Sequence, residues 1–264
     1  MKLNIKGKTA LVTGATGGIG AAVSLLLAQK GCNLILTGRN TKALAKVSED
    51  CTQHGVKVYT FIMDMADKSS VDACANDIIS KYTTIDLFVL NAGISQRDKV
   101  FSTSVDTDEL IMNTNYFGTV RFIKKFGSMI AVSGYTAIAV TSSLAGLFGF
   151  PLRSSYCASK HALKGFFEAM ELEYPNVHVT MLYPGRINTS ISSHAVLGDG
   201  TKYGKMDKAQ AKGMSADRCA DIAVRAILRG RHKVLIGKVE LLMYYIYLLF
   251  PRLFYAIGSK ISPV

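Results

Sequence analysis

Three things are missing from this chain of 264 residues: a CxxC pair, a histidine ligand pair, and an uninterrupted apolar run of membrane-spanning length. Each absence removes a class of protein. The five cysteines (Cys32, Cys51, Cys74, Cys157 and Cys219) are odd in number and widely scattered. That excludes a disulfide framework and fits a reduced, cytoplasmic chain. With His54, His161, His178, His194 and His232 far apart as well, no metal is expected. The stretch Met1–Lys8 has no apolar segment of signal-peptide length. Acidic residues are scarce, 19 against 31 Lys and Arg, for a net charge of +12. No zinc finger, RNA-binding signature or lysine-rich tract accompanies that charge, so nucleic acid is not an expected partner. Anionic phosphates or an anionic lipid surface account for its sign. Only 19% of residues are charged and 49% are hydrophobic, which excludes disorder.

What is present is an alternation. Short runs rich in Val, Ile and Leu occur at Thr9–Thr13, Asn33–Thr37, Lys57–Ile62, Leu87–Leu90, Thr136–Thr141, His178–Tyr183 and Lys233–Ile236. Amphipathic segments of helical length separate them: Ile19–Lys30, Thr41–His54, Lys68–Tyr82, about Asp106 to Ser133, Tyr156–Glu173 and Ser215–Arg229. Nearly continuous apolar strands joined by helices predict a doubly wound, parallel seven-stranded α/β sheet in one domain, residues 1–238. Ligands are then expected beyond the carboxyl ends of the strands. Gly185 to Gly213, rich in Ser, Gly, Lys and His, follows the sixth strand and reads as a lid, with a surface loop as the plainer alternative. Residues 239–264 form a hydrophobic and basic extension.

The first strand runs into Thr13-Gly14-Ala15-Thr16-Gly17-Gly18-Ile19-Gly20, a glycine turn opening a helix. Such a turn lets backbone N–H groups at the helix start face a pyrophosphate. After the second strand, Gly38 occupies the position where a site selective for NAD(H) offers an acid, and Arg39 follows. An arginine there suits a 2′-phosphate, so NADP(H) is expected, with NAD(H) as the alternative. Asp64 and Met65, at the end of the third strand, are placed to meet an adenine. Tyr156 and Lys160 lie four apart, on one face of a helix, where the ammonium is expected to bring the phenol within reach of ionisation near neutral pH.

Taken in order, TGxxxGIG at Thr13–Gly20, Asn91-Ala92-Gly93, Asn115, Ser142-Ser143, Tyr156-x-x-x-Lys160, and Pro184-Gly185 followed by Thr189 resemble the short-chain dehydrogenase/reductase family of single-domain type. The resemblance covers residues 5 to 236. It implies a Rossmann fold and a catalytic set of Asn115, Ser143, Tyr156 and Lys160. Tyr156 would exchange the proton at a carbonyl oxygen, Lys160 would support it and hold the nicotinamide ribose, and Ser143 would hydrogen-bond the substrate oxygen. Asn115 would kink its helix and anchor a water leading to Lys160. Ser143, thirteen residues before Tyr156, is preferred over Ser142. Asn91, Ala92, Gly93, Pro184, Gly185, Ile187 and Thr189 join the cofactor set, and a homodimer or homotetramer is implied.

Between Ser143 and Tyr156 the chain is aromatic and aliphatic. Phe148 and Phe150, with Ile94 and Ser95 after the Asn-Ala-Gly motif, are expected to wall a hydrophobic substrate, steroid-like or lipid-like, with core packing as the alternative for the aromatic stretch. The function expected is an oxidoreductase interconverting a ketone and a secondary alcohol. The alternatives are a 3-ketoacyl or 3-ketosphinganine type reductase, and an idle NADPH-binding scaffold on membranes. In the extension, Leu241–Phe250 is uncharged before Pro251-Arg252 interrupts it, too short for a span. Its tyrosines and nearby basic residues, Lys260 among them, suit an interfacial helix. Packing over the active site or against a second subunit are the other readings.

Overall fold

A computed structural model describes residues 3–258; Lys260 and the end of the extension lie outside them. Seven parallel strands form the central sheet: β1 (Thr9–Thr13), β2 (Asn33–Gly38), β3 (Val58–Ile62), β4 (Leu87–Leu90), β5 (Thr136–Thr141), β6 (Val177–Pro184) and β9 (Lys233–Ile236). Two short strands, β7 (Ile187–Asn188) and β8 (Met214–Ser215), pair with each other. The sheet order is β3-β2-β1-β4-β5-β6-β9, so the winding reverses between β1 and β4. Crossover helices diverge at that point, which opens a crevice at the strands' carboxyl ends.

Helices α1 (Gly18–Gln29), α2 (Thr41–Thr52) and α9 (Ala216–Leu228) serve one face of the sheet. The other face carries α3 (Lys68–Lys81), α4 (Val105–Met112), α5 (Gly118–Lys125), α6 (Gly127–Val132) and α7 (Ser154–Glu173). Each face has its own apolar core. Val12, Leu36 and Val89 point into the first; Leu11, Ile35 and Phe88 point into the second. Alternate residues of each strand thus feed opposite cores, and both sides are apolar because both are covered. Polar residues punctuate the helices: Asn40 caps α2 by accepting from the Ala43 N–H at 3.0 Å, and Asp67 caps α3 through Ser69 at 2.8 Å.

The expected single helix from about Asp106 to Ser133 is three helices. Between α4 and α5, residues Asn113–Phe117 form a π-turn, and the chain bends again at Phe126. The cause of the first break is Asn115, whose side chain bonds outward to the backbone of Ile94. The apolar end of this segment, Gly127–Ser133, is core packing: Ile130 is buried in the second core, and the Asn176 amide donates to its carbonyl at 2.7 Å.

Part of the expected lid is tied into the body. Ser192 and Ala195 are fully buried, the Arg97 N–H donates to Val196 O at 2.9 Å, and α8 (Lys208–Ala211) sits within it. These backbone groups find partners in the protein, whereas residues 199–202 and 204–206 stay exposed, as the surface-loop reading has it.

The extension forms α10 (Leu241–Leu249) and α11 (Pro251–Gly258) against the second core. Tyr247 and Phe254 stack on Phe148, with ring centroids 5.6 and 5.3 Å away. Glu240 anchors the start by accepting from the Arg186 N–H at 3.0 Å. Among the described residues, no helix is long and apolar enough to cross a membrane.

Candidate active site

A cleft of about 500 Å³ opens at the predicted switch point. One end is the glycine turn. Gly14 has φ +63°, and a Cβ there would lie 2.8 Å from Ala92 Cα, so only glycine lets the turn meet the Asn-Ala-Gly segment. A Cβ on Gly18 would meet the Thr189 methyl at 2.5 Å, which closes the turn against the lid. Thr13 Oγ1 accepts from the N–H groups of Asn91 and Ala92, at 3.0 and 3.2 Å, and the Asn91 amide donates to Gly14 O at 3.2 Å. The N-cap of α1 is Gly17, with no side chain over it and no acid in the first turn. Its N–H groups and positive dipole end are therefore directed toward the cleft.

The cleft is lined by Gly14, Thr16, Gly17, Gly18, Ile19, Arg39, Asp64 and Met65, then by Asn91, Ala92, Gly93, Ile94 and Ser95. Ser143, Tyr156, Lys160, Pro184, Gly185, Ile187 and Thr189 complete the expected set. Gly20 lies just behind, packed on the turn. Arg39 Nη1 is 3.9 Å from Asp64 Oδ2, both exposed. A dinucleotide fits these donors: a glycine cradle and an uncapped helix start.

One expectation about lining residues is corrected. Phe148 and Phe150 do not line the cleft; Phe148 is buried under Tyr247 and Phe254, and Phe150 stacks on it at 4.9 Å. Phe148 thus meets the extension, while Phe150 packs against Ala145, Tyr156 and Cys157. Asn115 also stands behind the wall. Its Oδ1 accepts from Ile94 N at 2.8 Å, and its Nδ2 donates to Ile94 O at 2.9 Å and Ser159 Oγ at 3.0 Å. Gly93 lets this amide and Lys160 come close, since a Cβ would be 3.0 Å from Asn115 Oδ1 and 3.3 Å from Lys160 Nζ.

At the far end, α7 presents Tyr156 and Lys160, both buried yet lining the cleft. Lys160 Nζ donates to Thr141 O at 2.8 Å, and the ammonium is 5.8 Å from the Tyr156 ring centroid. Ser142 donates to Lys160 O at 3.0 Å, whereas the Ser143 hydroxyl donates to Pro184 O at 3.4 Å and accepts from the Ala145 N–H at 3.2 Å. Burial raises the phenol above its ordinary range, opposed first by the charge of Arg153 and then by the Ser143 hydroxyl. Burial also pushes Lys160 down to about 8. The expected ionisation of Tyr156 near neutral pH is therefore reversed in the protein alone: dehydration of the phenolate outweighs the neighbouring charges. Tyr156 holds its proton at neutral pH.

Arg153, the N-cap residue of α7, was not among the expected residues, although it lies three residues before Tyr156. Gln210, Ile191 and the exposed His194 line the same end, drawn from the lid. One cluster falls elsewhere. His178, His232 and Glu171 meet at the amino ends of β6 and β9, away from the cleft, with Glu171 Oε1 at 3.0 and 3.1 Å from the two Nδ1 atoms. The expectation that the histidines form no pair fails, because adjacent parallel strands bring them together.

A model of the short chain dehydrogenase family matches residues 8–198, and the chain belongs to that family. It is an oxidoreductase of the dehydrogenase/reductase class. Among its relatives, dehydrogenase/reductase SDR family member 7B of Mus musculus is 36% identical over 268 residues, covering 98% of this chain and 82% of that protein. Dehydrogenase/reductase SDR family protein 7-like of Drosophila melanogaster is 34% identical over 263 residues, with 97% and 81% covered. The alcohol dehydrogenase of Thermococcus sibiricus, solved in complex with 5-hydroxy-NADP, superposes with a TM-score of 0.76 at 27% identity, over 88% of this chain and 97% of that one. A short chain dehydrogenase/reductase of Burkholderia phymatum in complex with NAD shares the fold, with a TM-score of 0.82 at 21% identity over 99% and 98% of the two chains.

Proposed function

We propose that the protein interconverts a ketone and a secondary alcohol on a largely apolar substrate, using NADP(H). The observation that carries this reading is that Ser143, Tyr156 and Lys160 line one cleft together with the glycine turn. Bound there, the reduced dinucleotide supplies the hydride. The α1 N-terminus and Gly17-Gly18 would hold its pyrophosphate, Arg39 the 2′-phosphate, Asp64 and Met65 the adenine, and Ile187 and Thr189 the carboxamide. Gly38 and Arg39 favour NADP(H), in keeping with the NADP analogue bound by the Thermococcus sibiricus enzyme.

Ser143 donates to the substrate oxygen and Tyr156 gives it a proton. Lys160, charged below about pH 8, favours the phenolate left behind and takes part in holding the ribose. Asn115 acts through Ile94, keeping that wall of the cleft in place. A homodimer through the helices bearing Asn115 and Tyr156 belongs to this reading, supported by the exposed Phe117. So does peripheral contact with anionic membranes, supported by the exposed Leu242, Tyr245, Leu248 and Leu249 on one side of α10. Sedimentation equilibrium and co-sedimentation with anionic vesicles test these two points; a monomer, or a protein left in the supernatant, removes each.

A panel of ketones and secondary alcohols, assayed with NADPH and NADH by reduced-nicotinamide absorbance, tests the reaction and the cofactor together. Tyr156→Phe should lower kcat by about 10²–10⁴-fold. Unchanged turnover in that variant refutes the chemistry. Failure of the wild type on every ketone favours the idle scaffold.

A further inference from the structure

The catalytic end of the cleft carries a charge imbalance that the proposed reaction does not use. Arg97 is buried, and its Nε and Nη2 donate to Asp207 Oδ2 at 3.0 and 2.6 Å. The Arg153 Nη2 reaches the same oxygen at 3.4 Å. One carboxylate oxygen therefore serves two guanidiniums. Arg97 is otherwise satisfied, by Ser95 Oγ at 2.8 Å and Gln96 O at 2.7 Å. Arg153 is not: among the described residues its Nε is buried with no hydrogen-bond partner, as is Asp207 Oδ1, although Arg153 lines the cleft with Tyr156 and Ser143. Burial, and then the charge of Arg97, bring its guanidinium down to about 10, as an incompletely neutralised cation requires. Among the described residues, Asp207 is the one carboxylate that Arg153 contacts.

We infer that Arg153 is the recognition point for a carboxylate on the substrate, so that the ketones this enzyme prefers carry an acid group close to the reacting carbonyl. The charge count fits, since a single negative charge balances what Asp207 leaves over. The geometry fits as well: a guanidinium offers paired donors to a carboxylate, and Arg153, the N-cap residue of α7, lines the cleft three residues before the proton donor. Asp207, from the lid, holds the guanidinium at the cleft end; Ile94 and Ile191 offer apolar surface to the rest of the molecule. This inference rests on the proposed reaction for its meaning as substrate choice, but the binding it asserts stands separately.

The test compares an aliphatic keto acid with its methyl ester, matched in skeleton, in the wild type, Arg153→Met and Arg153→Lys. The acid-to-ester ratio of kcat/KM is read within each protein, so that any effect of Arg153 on Tyr156 cancels. The expected result is a preference for the acid of about ten- to a hundredfold, the worth of one hydrogen bond to a charged group. That preference should fall to near unity in Arg153→Met and be partly kept in Arg153→Lys. Circular dichroism checks that both variants fold; Asp207 keeps Arg97 in each. In parallel, hexanoate and hexanamide, which have no ketone, are titrated calorimetrically into the same proteins. Hexanoate should bind the wild type and not Arg153→Met, and hexanamide should bind neither. If no ketone is reduced while hexanoate binds through Arg153, the proposed reaction falls and the carboxylate site stands. An acid-to-ester ratio equal in all three proteins, or hexanoate binding indifferent to Arg153, overturns the inference.

Discussion

Where β2 and β3 end, Arg39 faces Asp64 across 3.9 Å with both side chains open to solvent; at the other end of the same cleft, Arg97 and Arg153 crowd one buried oxygen of Asp207. The residue types are the same and the physics differs. The exposed pair is screened, contributes well under about 1 kcal/mol, and leaves its guanidinium free to turn toward a ligand. The buried set is dehydrated, so every charge in it must be met by another, and its geometry is held by the fold. One end is built to adapt, the other to position.

The sharpest way to break this contrast is Asp207→Asn. It removes the single anion from two guanidiniums and should destabilise the protein by about 3–5 kcal/mol. Denaturant unfolding measures it, and a loss below about 1 kcal/mol would mean that water reaches the site and the two ends are alike. Lys160→Met should act in the opposite direction. The folded protein holds Lys160 at about 8 against 10.5 for the free side chain, so the fold disfavours the ammonium. That cost is complete below about pH 8 and disappears as pH approaches the free value. The variant should therefore gain up to about 3 kcal/mol at neutral pH while losing turnover, with the gain shrinking through alkaline pH. Thermal unfolding at neutral and alkaline pH gives the sign directly; a destabilised variant at neutral pH refutes the argument. The smallest effect belongs to the exposed pair. Arg39→Ala should raise KM for NADPH by about tenfold, as loss of a charge-assisted hydrogen bond does, leave NADH nearly unaffected, and change stability by less than about 0.5 kcal/mol. Equal losses for both cofactors would take Arg39 off the 2′-phosphate.

Much of the architecture was legible because burial on both sides of a parallel sheet leaves a simple mark, the run of Val, Ile and Leu. Thr9–Thr13, Leu87–Leu90, Thr136–Thr141 and Lys233–Ile236 have the same limits in sequence and structure. Helix interruptions were less legible. The resemblance placed a kink at Asn115, but periodicity runs unbroken through it, because the π-turn depends on a partner, Ile94, that is 21 residues away. Phe148 and Phe150 misled for the same reason. An aromatic side chain is equally apolar whether a substrate or Tyr247 lies over it, and only the path of α10 and α11 chooses between them.

For the candidate site, local spacing placed what lies on one strand end or one helical turn: the glycine turn, Arg39, and Tyr156 with Lys160. Composition and pattern decide which segments are buried, and covalent spacing decides which groups share a face; both are properties of the chain before it folds. The protonation of Tyr156, the sharing of Asp207 by two arginines and the burial of part of the lid are of another kind. They arise from dehydration and from contacts across as many as 110 residues, as between Arg97 and Asp207, and these come into being only when the elements pack.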